Sequence, residues 1–171
     1  MTGPKIEAVK IRVNIAGYGN QGEAPATVLC AFDRASGTLR VADERAMESA
    51  GRAGWLLVTN QRTDEHCDAF FSPDMLRDAI AAFFLMESLG LVGIDKKAER
   101  ARPTSKIESD GMDERGVKYR IKSDCGNKQV AVLAACWFAN IQRGVGAALD
   151  DFDDLYGDGE AGDDVGEAFT V

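Results

Sequence analysis

The final 22 residues of the sequence, Asp150 to Val171, carry nine acidic side chains and no basic one, and glycine interrupts them at Gly157, Gly159, Gly162 and Gly166. A stretch with one sign of charge and few apolar groups cannot bury enough surface to offset the entropy of ordering its backbone. It is therefore expected to be a flexible acidic tail that orders only on a partner, which confines the folding problem to residues 1–149. The tail also hides the charge of the rest. The whole chain has 28 acidic and 20 basic residues, so without the nine acids of the tail the body holds 19 against 20 and is nearly neutral.

A body of this length suits one domain with a core of its own. The four cysteines, Cys30, Cys67, Cys125 and Cys136, are scattered, and the first residues lack the apolar run of a secretory signal, so a reducing cytoplasm is the expected setting. The longest apolar runs, Ala79 to Met86 and Val130 to Ala139, fall well short of the ~20 residues needed to span a bilayer. They read as core, and no membrane partner is expected.

Periodicity sets out the elements. Val9, Ile11, Val13 and Ile15 alternate with Lys10, Arg12 and Asn14, the period-2 pattern of a strand with one wet face. A glycine-rich turn at Gly17 to Gly22 leads to a second strand, Thr27 to Phe32, and Asp33 to Gly37 forms a tight connection to a third, Thr38 to Val41. A short helix is expected from Asp43 to Arg52, then a strand at Trp55 to Thr59 and a polar loop from Asn60 to Phe71. Ser72 and Pro73 read as a helix start, with the serine hydroxyl as cap, and Gly90 as its stop. Asp95 to Lys106 reads as an exposed linker. A second hairpin pairs Lys106 to Glu108 with Val117 to Lys122 around a long loop, and an apolar stripe through Val130, Leu133, Trp137 and Ile141 predicts a helix from Lys128 to Leu149. The fold class that follows is α+β: one domain over residues 1–149, an antiparallel or mixed sheet with two buried helices on one face, and the acidic tail from 150 to 171.

Gly17-Tyr18-Gly19-Asn20-Gln21-Gly22 has the spacing of the dinucleotide-binding fingerprint and resembles the Rossmann motif over these residues. That motif needs its third glycine to open a helix whose amino end holds the pyrophosphate. Pro25 and a strand follow at once, leaving no room for the helix, so a hairpin loop is expected and no nucleotide cofactor. His66, Cys67, Cys125 and Cys136 lack the close paired spacing of zinc ligands, and an EF-hand register on Asp154 puts Tyr156 and Val165 where oxygen ligands are required. No metal site is expected. Nor does any nucleophile stand in a spacing that gives it a base, so no catalytic residue is assigned and the chain is read as non-enzymatic.

Positive charge gathers between residues 96 and 128. Lys96, Lys97, Arg100, Arg102 and Lys106 occupy the linker, and Lys118, Arg120 and Lys122 share one face of the last strand, spaced about 7 Å apart, as a chain following a phosphate backbone requires. These eight form the expected nucleic-acid contact, single strands above all. The tail resembles the acidic tails of the single-strand DNA-binding proteins of bacteria and phages, which also carry an apolar end. The likeness is confined to the tail, where Ala168-Phe169-Thr170-Val171 stands in place of Asp-Ile-Pro-Phe. It implies a dual role: Asp150, Asp151, Asp153, Asp154, Asp158, Asp163, Asp164 and Phe169 would compete with nucleic acid for the basic face and recruit a protein partner. An alternative reading is a protein-binding module or inhibitor that presents its carboxylates as a nucleic-acid mimic. Aromatic placement separates the two: Tyr18, Tyr119, Phe70 or Phe71 exposed among the cations favours binding of bases.

Overall fold

Ile11, Val13 and Ile15 are fully buried while the residues between them are not, the burial expected of a strand lying on a core with one solvated face. A computed structural model describes residues 8–42, 54–62 and 66–156, with side chains described as far as Gln142. Strands β1 (Ala8–Ile15), β2 (Ala26–Asp33) and β3 (Thr38–Ala42) form the expected antiparallel meander. The β2 to β3 turn is fixed by Asp33, whose carboxylate accepts from the Ala35 amide at 2.9 Å and the Ser36 hydroxyl at 3.0 Å. Strand β4 (Leu56–Thr59) adds parallel to β1, and β5 (Ala69–Phe70) adds parallel to β4. On the other side β6 (Val92–Ile94) adds parallel to β3. The result is a six-stranded mixed sheet in the order β5-β4-β1-β2-β3-β6.

Helix α1 (Leu76–Ser88) buries Ala79, Ile80, Ala82, Phe83 and Met86, and Gly90 at φ +69° ends it. Helix α2 (Asn127–Tyr156) lies against β1 and β2 and against α1. From Val130 to Cys136 every side chain of α2 is fully buried. The alanines at 131, 134, 135 and 139 let sheet and neighbouring helix approach closely, so this stretch is the centre of the molecule. Arg34 donates to the Gln142 side chain at 2.9 Å where α2 passes the β2 to β3 turn. Strands β7 (Ile107–Asp113) and β8 (Gly116–Ile121) form a separate hairpin packed on α1. The chain is an α+β protein with a mixed sheet, and none of the described helices is long and apolar enough to cross a membrane.

Several local expectations change. The Ser72 hydroxyl does not cap; its carbonyl accepts from the Met75 amide, and a 3-10 turn over Pro73–Met75 precedes α1. The polar loop expected up to Phe71 contains β5, and Phe71 is core. The stretch expected as a linker is folded: Asp95 donates its amide to the Val41 carbonyl, 3-10 turns span Lys96–Ala101 and Thr104–Lys106, and Ala101 is buried. The hairpin has a two-residue turn at Glu114-Arg115, because β7 continues to Asp113 through a bulge at Gly111 (φ +88°). Helix α2 runs on to Tyr156, through the boundary expected at Leu149. Asp150, Asp151, Asp153 and Asp154 thus stand on its last turns, whereas the helix expected at Asp43 to Arg52 and the tail residues Asp158, Asp163, Asp164 and Phe169 lie outside the described residues.

Candidate nucleic-acid interface

The hairpin that carries three of the eight cations is held by its opposite face. Tyr119 turns to α1 and meets the Phe84 ring at 5.1 Å, while Lys118, Arg120 and Lys122 are exposed, as the strand alternation requires. At the turn, Arg77 of α1 grips Asp113 with two hydrogen bonds of 2.5 and 2.6 Å, and Arg115 reaches back to Asp78 at 2.9 Å. The hydrogen bond from Arg77, reinforced by the Arg115 amide, holds the Asp113 carboxyl at about 2. A carboxyl depressed on folding adds stability above its ordinary value near 3.8 and loses it as pH falls toward the folded value. The hairpin should therefore loosen from α1 between about pH 4 and pH 2. Amide exchange near the Glu114-Arg115 turn over that range checks this: Arg77→Gln should reduce the pH dependence there while the Lys106–Asp124 pair at the hairpin base keeps its own, and an unchanged profile in that variant would place its origin elsewhere.

The eight cations divide. Arg120 is matched by Glu108 directly across the hairpin (2.7 Å), with Asp110 at 3.9 Å. Lys106 is held by Asp124 at 2.5 Å, and Arg102 by Glu99 at 2.6 Å with Glu87 at 3.7 Å. Each of these three would have to exchange a carboxylate for a phosphate. Lys96, Lys97, Arg100, Lys118 and Lys122 make no ion pair among the described residues.

Backbone hydrogen bonds show which of them meet. The Lys122 amide donates to the Lys106 carbonyl at 2.8 Å, and the Cys125 amide to the Lys122 carbonyl at 3.0 Å. Gln129 accepts from the Gly126 amide at 2.9 Å and donates to the Arg100 carbonyl at 2.8 Å. Arg100, Lys106 and Lys122 are thereby gathered around the amino end of α2. Lys128, exposed on its first turn, joins them without having been assigned to the site from sequence. Lys118 continues the row along β8, roughly 13 Å from Lys122 at ~3.3 Å per residue. Lys96 and Lys97 instead follow β6 at the edge of the large sheet, where Asp95 pairs with Arg40 at 3.0 Å. Among the described residues no hydrogen bond ties them to the hairpin group.

The glycine loop comes to this same end. The Tyr18 amide donates to the Asn127 side-chain carbonyl at 2.8 Å, and the Asn127 side chain donates to the Ala24 carbonyl at 2.9 Å. Glu23 accepts from the Asn127 amide at 3.2 Å. The loop expected as a hairpin connection does meet a helix amino end, but that of the last helix, and a carboxylate of the chain already occupies it. Gly19 suits this place by its left-handed backbone (φ +78°), and a Cβ on it would push the Glu23 carboxylate aside. Of the aromatics named as discriminators, Phe71 is buried edge-on against Trp137, Tyr119 faces α1, and Phe70 is exposed on β5 at the opposite edge of the sheet from β6. Tyr18 stands half-buried beside the cation group, and burial, with the neighbouring Cys125, pushes its phenol upward.

The buried thiols are quiet. Burial pushes the Cys30 thiol up to about 12 and that of Cys136 well above its ordinary value, and burial with Asp124 nearby takes Cys125 to about 11. Such thiols are not nucleophiles near neutral pH. His66 stands 3.6 Å from Asp68 on the surface, and no group of three metal-ligating side chains comes together among the described residues. The fold and surface thus define an α+β protein with a cationic patch at one helix end. The sequence matches no family model and no curated protein, and no solved structure matches it.

Proposed function

We propose that this chain is a non-enzymatic, cytoplasmic accessory protein that binds single-stranded nucleic acid through the patch at the amino end of α2, under competition from its own acidic segment 150–171. The observation that carries the reading is the set of exposed cations without ion pairs, Arg100, Lys118 and Lys122, continued by Lys128 and flanked by Tyr18. Lys118 and Lys122 feel Asp113 and Asp124 only at longer range, and cations with no direct carboxylate contact can neutralise phosphates and release their counterions, which supplies sequence-independent affinity. A single strand, unlike a duplex, can also turn a base onto Tyr18. The alternative, a protein-binding module that mimics nucleic acid, gains from the internal neutralisation of Arg102, Lys106 and Arg120 and from the burial of Phe71 and Tyr119.

Fluorescence anisotropy with labelled single-stranded and duplex oligonucleotides at several salt concentrations tests this. Lys118→Glu with Lys122→Glu should weaken binding at least tenfold and reduce the log-log salt slope by about 2, one for each phosphate contact removed. If the parent chain binds neither oligonucleotide, or the double variant binds as the parent does, the reading fails.

A further inference from the structure

The large sheet ends at β6, the last strand in the order β5-β4-β1-β2-β3-β6. In its parallel pairing with β3, the Leu39 amide donates to the Leu91 carbonyl at 2.7 Å and the Asp95 amide to the Val41 carbonyl at 3.0 Å. Gly93 lies between these two bonds, opposite Arg40. It is therefore the residue whose own amide and carbonyl turn inward, and Val92 and Ile94 turn theirs outward. Among the described residues no hydrogen bond reaches the backbone of Val92 or Ile94 from that outer side. An edge with unpaired amides and carbonyls is a template for another extended chain. We propose that the β6 edge binds an extended segment of a partner protein, antiparallel to β6, with an aromatic ring over Gly93 and carboxylates against Lys96 and Lys97. This surface is separate from the patch at the amino end of α2, and the proposal does not rest on the nucleic-acid reading.

Two observations choose this occupant. The first is Gly93 itself. Its backbone is not left-handed, and a Cβ on it would meet nothing within 4 Å. Neither conformation nor crowding within the chain calls for glycine here, although glycine weakens a strand. What it provides is room for a neighbour, and an aromatic side chain on an adjoining strand covers an edge glycine well. Arg40 stands across from Gly93 on the same face of the sheet, its side chain 70% exposed. A ring over Gly93 thus also meets a guanidinium group, which stacks favourably on aromatic faces. The second observation is charge. Lys96 and Lys97 follow the strand, exposed and without an ion pair among the described residues, whereas the acids beside them are taken: Asp95 by Arg40 at 3.0 Å and Glu99 by Arg102 at 2.6 Å. Both lysines stand at the carboxyl end of β6, so an antiparallel partner brings its carboxylates ahead of its aromatic residue. A second copy of β6 has neither a ring nor an unpaired carboxylate to offer in this place.

The probe is the peptide Glu-Glu-Thr-Val-Tyr-Val, blocked at both ends and titrated to millimolar concentration into the full-length chain labelled with ¹⁵N. In the free protein the Val92 and Ile94 amides should exchange quickly with solvent while that of Gly93 is protected. The peptide should shift the Val92 and Ile94 resonances and slow their exchange severalfold. N-methylation of both valine amides of the peptide, which face β6 in this register, should abolish these effects. Lys96→Glu with Lys97→Glu should weaken binding at least tenfold. Gly93→Val should weaken it likewise while leaving the melting temperature of the free protein unchanged or higher, because valine favours a strand. A peptide that leaves the Val92 and Ile94 resonances in place overturns the proposal, as does an N-methylated peptide that binds as well as its parent. So does a free protein in which these amides are already protected, or become so as its concentration rises, since the chain itself or a second copy would then be the occupant. A single-stranded oligonucleotide that displaces the peptide overturns it too, by making the edge part of the polyanion surface.

Discussion

Asn127→Ala is expected to lower the stability of the protein by about 1 to 3 kcal/mol, because truncating this buried side chain removes two hydrogen bonds at once. Asn127 is fully buried, and its side chain satisfies the Tyr18 amide and the Ala24 carbonyl at once. Alanine takes both partners away from the loop. Thermal melting measures the loss, which amounts to roughly 10 °C for a body of this size. Asn127→Asp separates the two bonds: it keeps an acceptor for Tyr18, loses the donor to Ala24, and sets a second carboxylate beside Glu23. It should fall between the parent and alanine in acid and approach alanine at neutral pH. A melting temperature within a degree or two of the parent in Asn127→Ala would mean that the loop does not depend on this residue.

Phe83→Ala should cost more, about 3 to 5 kcal/mol. Phe83 is fully buried on α1, and its neighbour Phe84 carries the contact with Tyr119 through which the hairpin rests on the helix. A cavity under α1 therefore weakens the sheet side and the hairpin side together. Denaturant unfolding gives the total, and hydrogen exchange resolves its distribution: the amides of β7 and β8 should lose protection with those of α1. If the hairpin keeps its protection while α1 loses it, the two do not unfold as one unit.

The elements visible in the sequence are those whose own residues carry a period. The β1 to β3 meander and the two helices repeat their apolar positions often enough to be read, and the hairpin shows through Val117, Tyr119 and Ile121. Strands β5 and β6, of two and three residues, are too short to show alternation; they exist because β4 and β3 offer edges to pair with. The folded character of residues 95–106 was hidden for the same reason, since its stability comes from contacts with β3 and α2 rather than from local pattern. Of the site, the cationic face of β8 was legible, but the neutralisation of Arg102, Lys106 and Arg120 was not fully so. Glu99 lies one turn from Arg102, whereas the partners of Lys106 and Arg120 are set by the hairpin register and the turn into α2. Asn127, an apt residue to begin a helix, was a visible cue one position ahead of the expected start. Its partners at Tyr18 and Ala24, more than 100 residues away, were not.

The carboxylate of Glu23 at the amino end of α2 changes what the surrounding patch can distinguish. Rigid backbone donors at a helix end select a ligand by its geometry, because they cannot follow a poor fit. Here Glu23 and Gln129 engage the first donors, Gly126 and Asn127, and the exposed groups around them include lysine and arginine heads on long flexible stems. Such heads conform to whatever arrangement of negative charge arrives. The patch is thereby tolerant by construction, suited to a polyanion of varied shape and indifferent to the stereochemistry of a single phosphate.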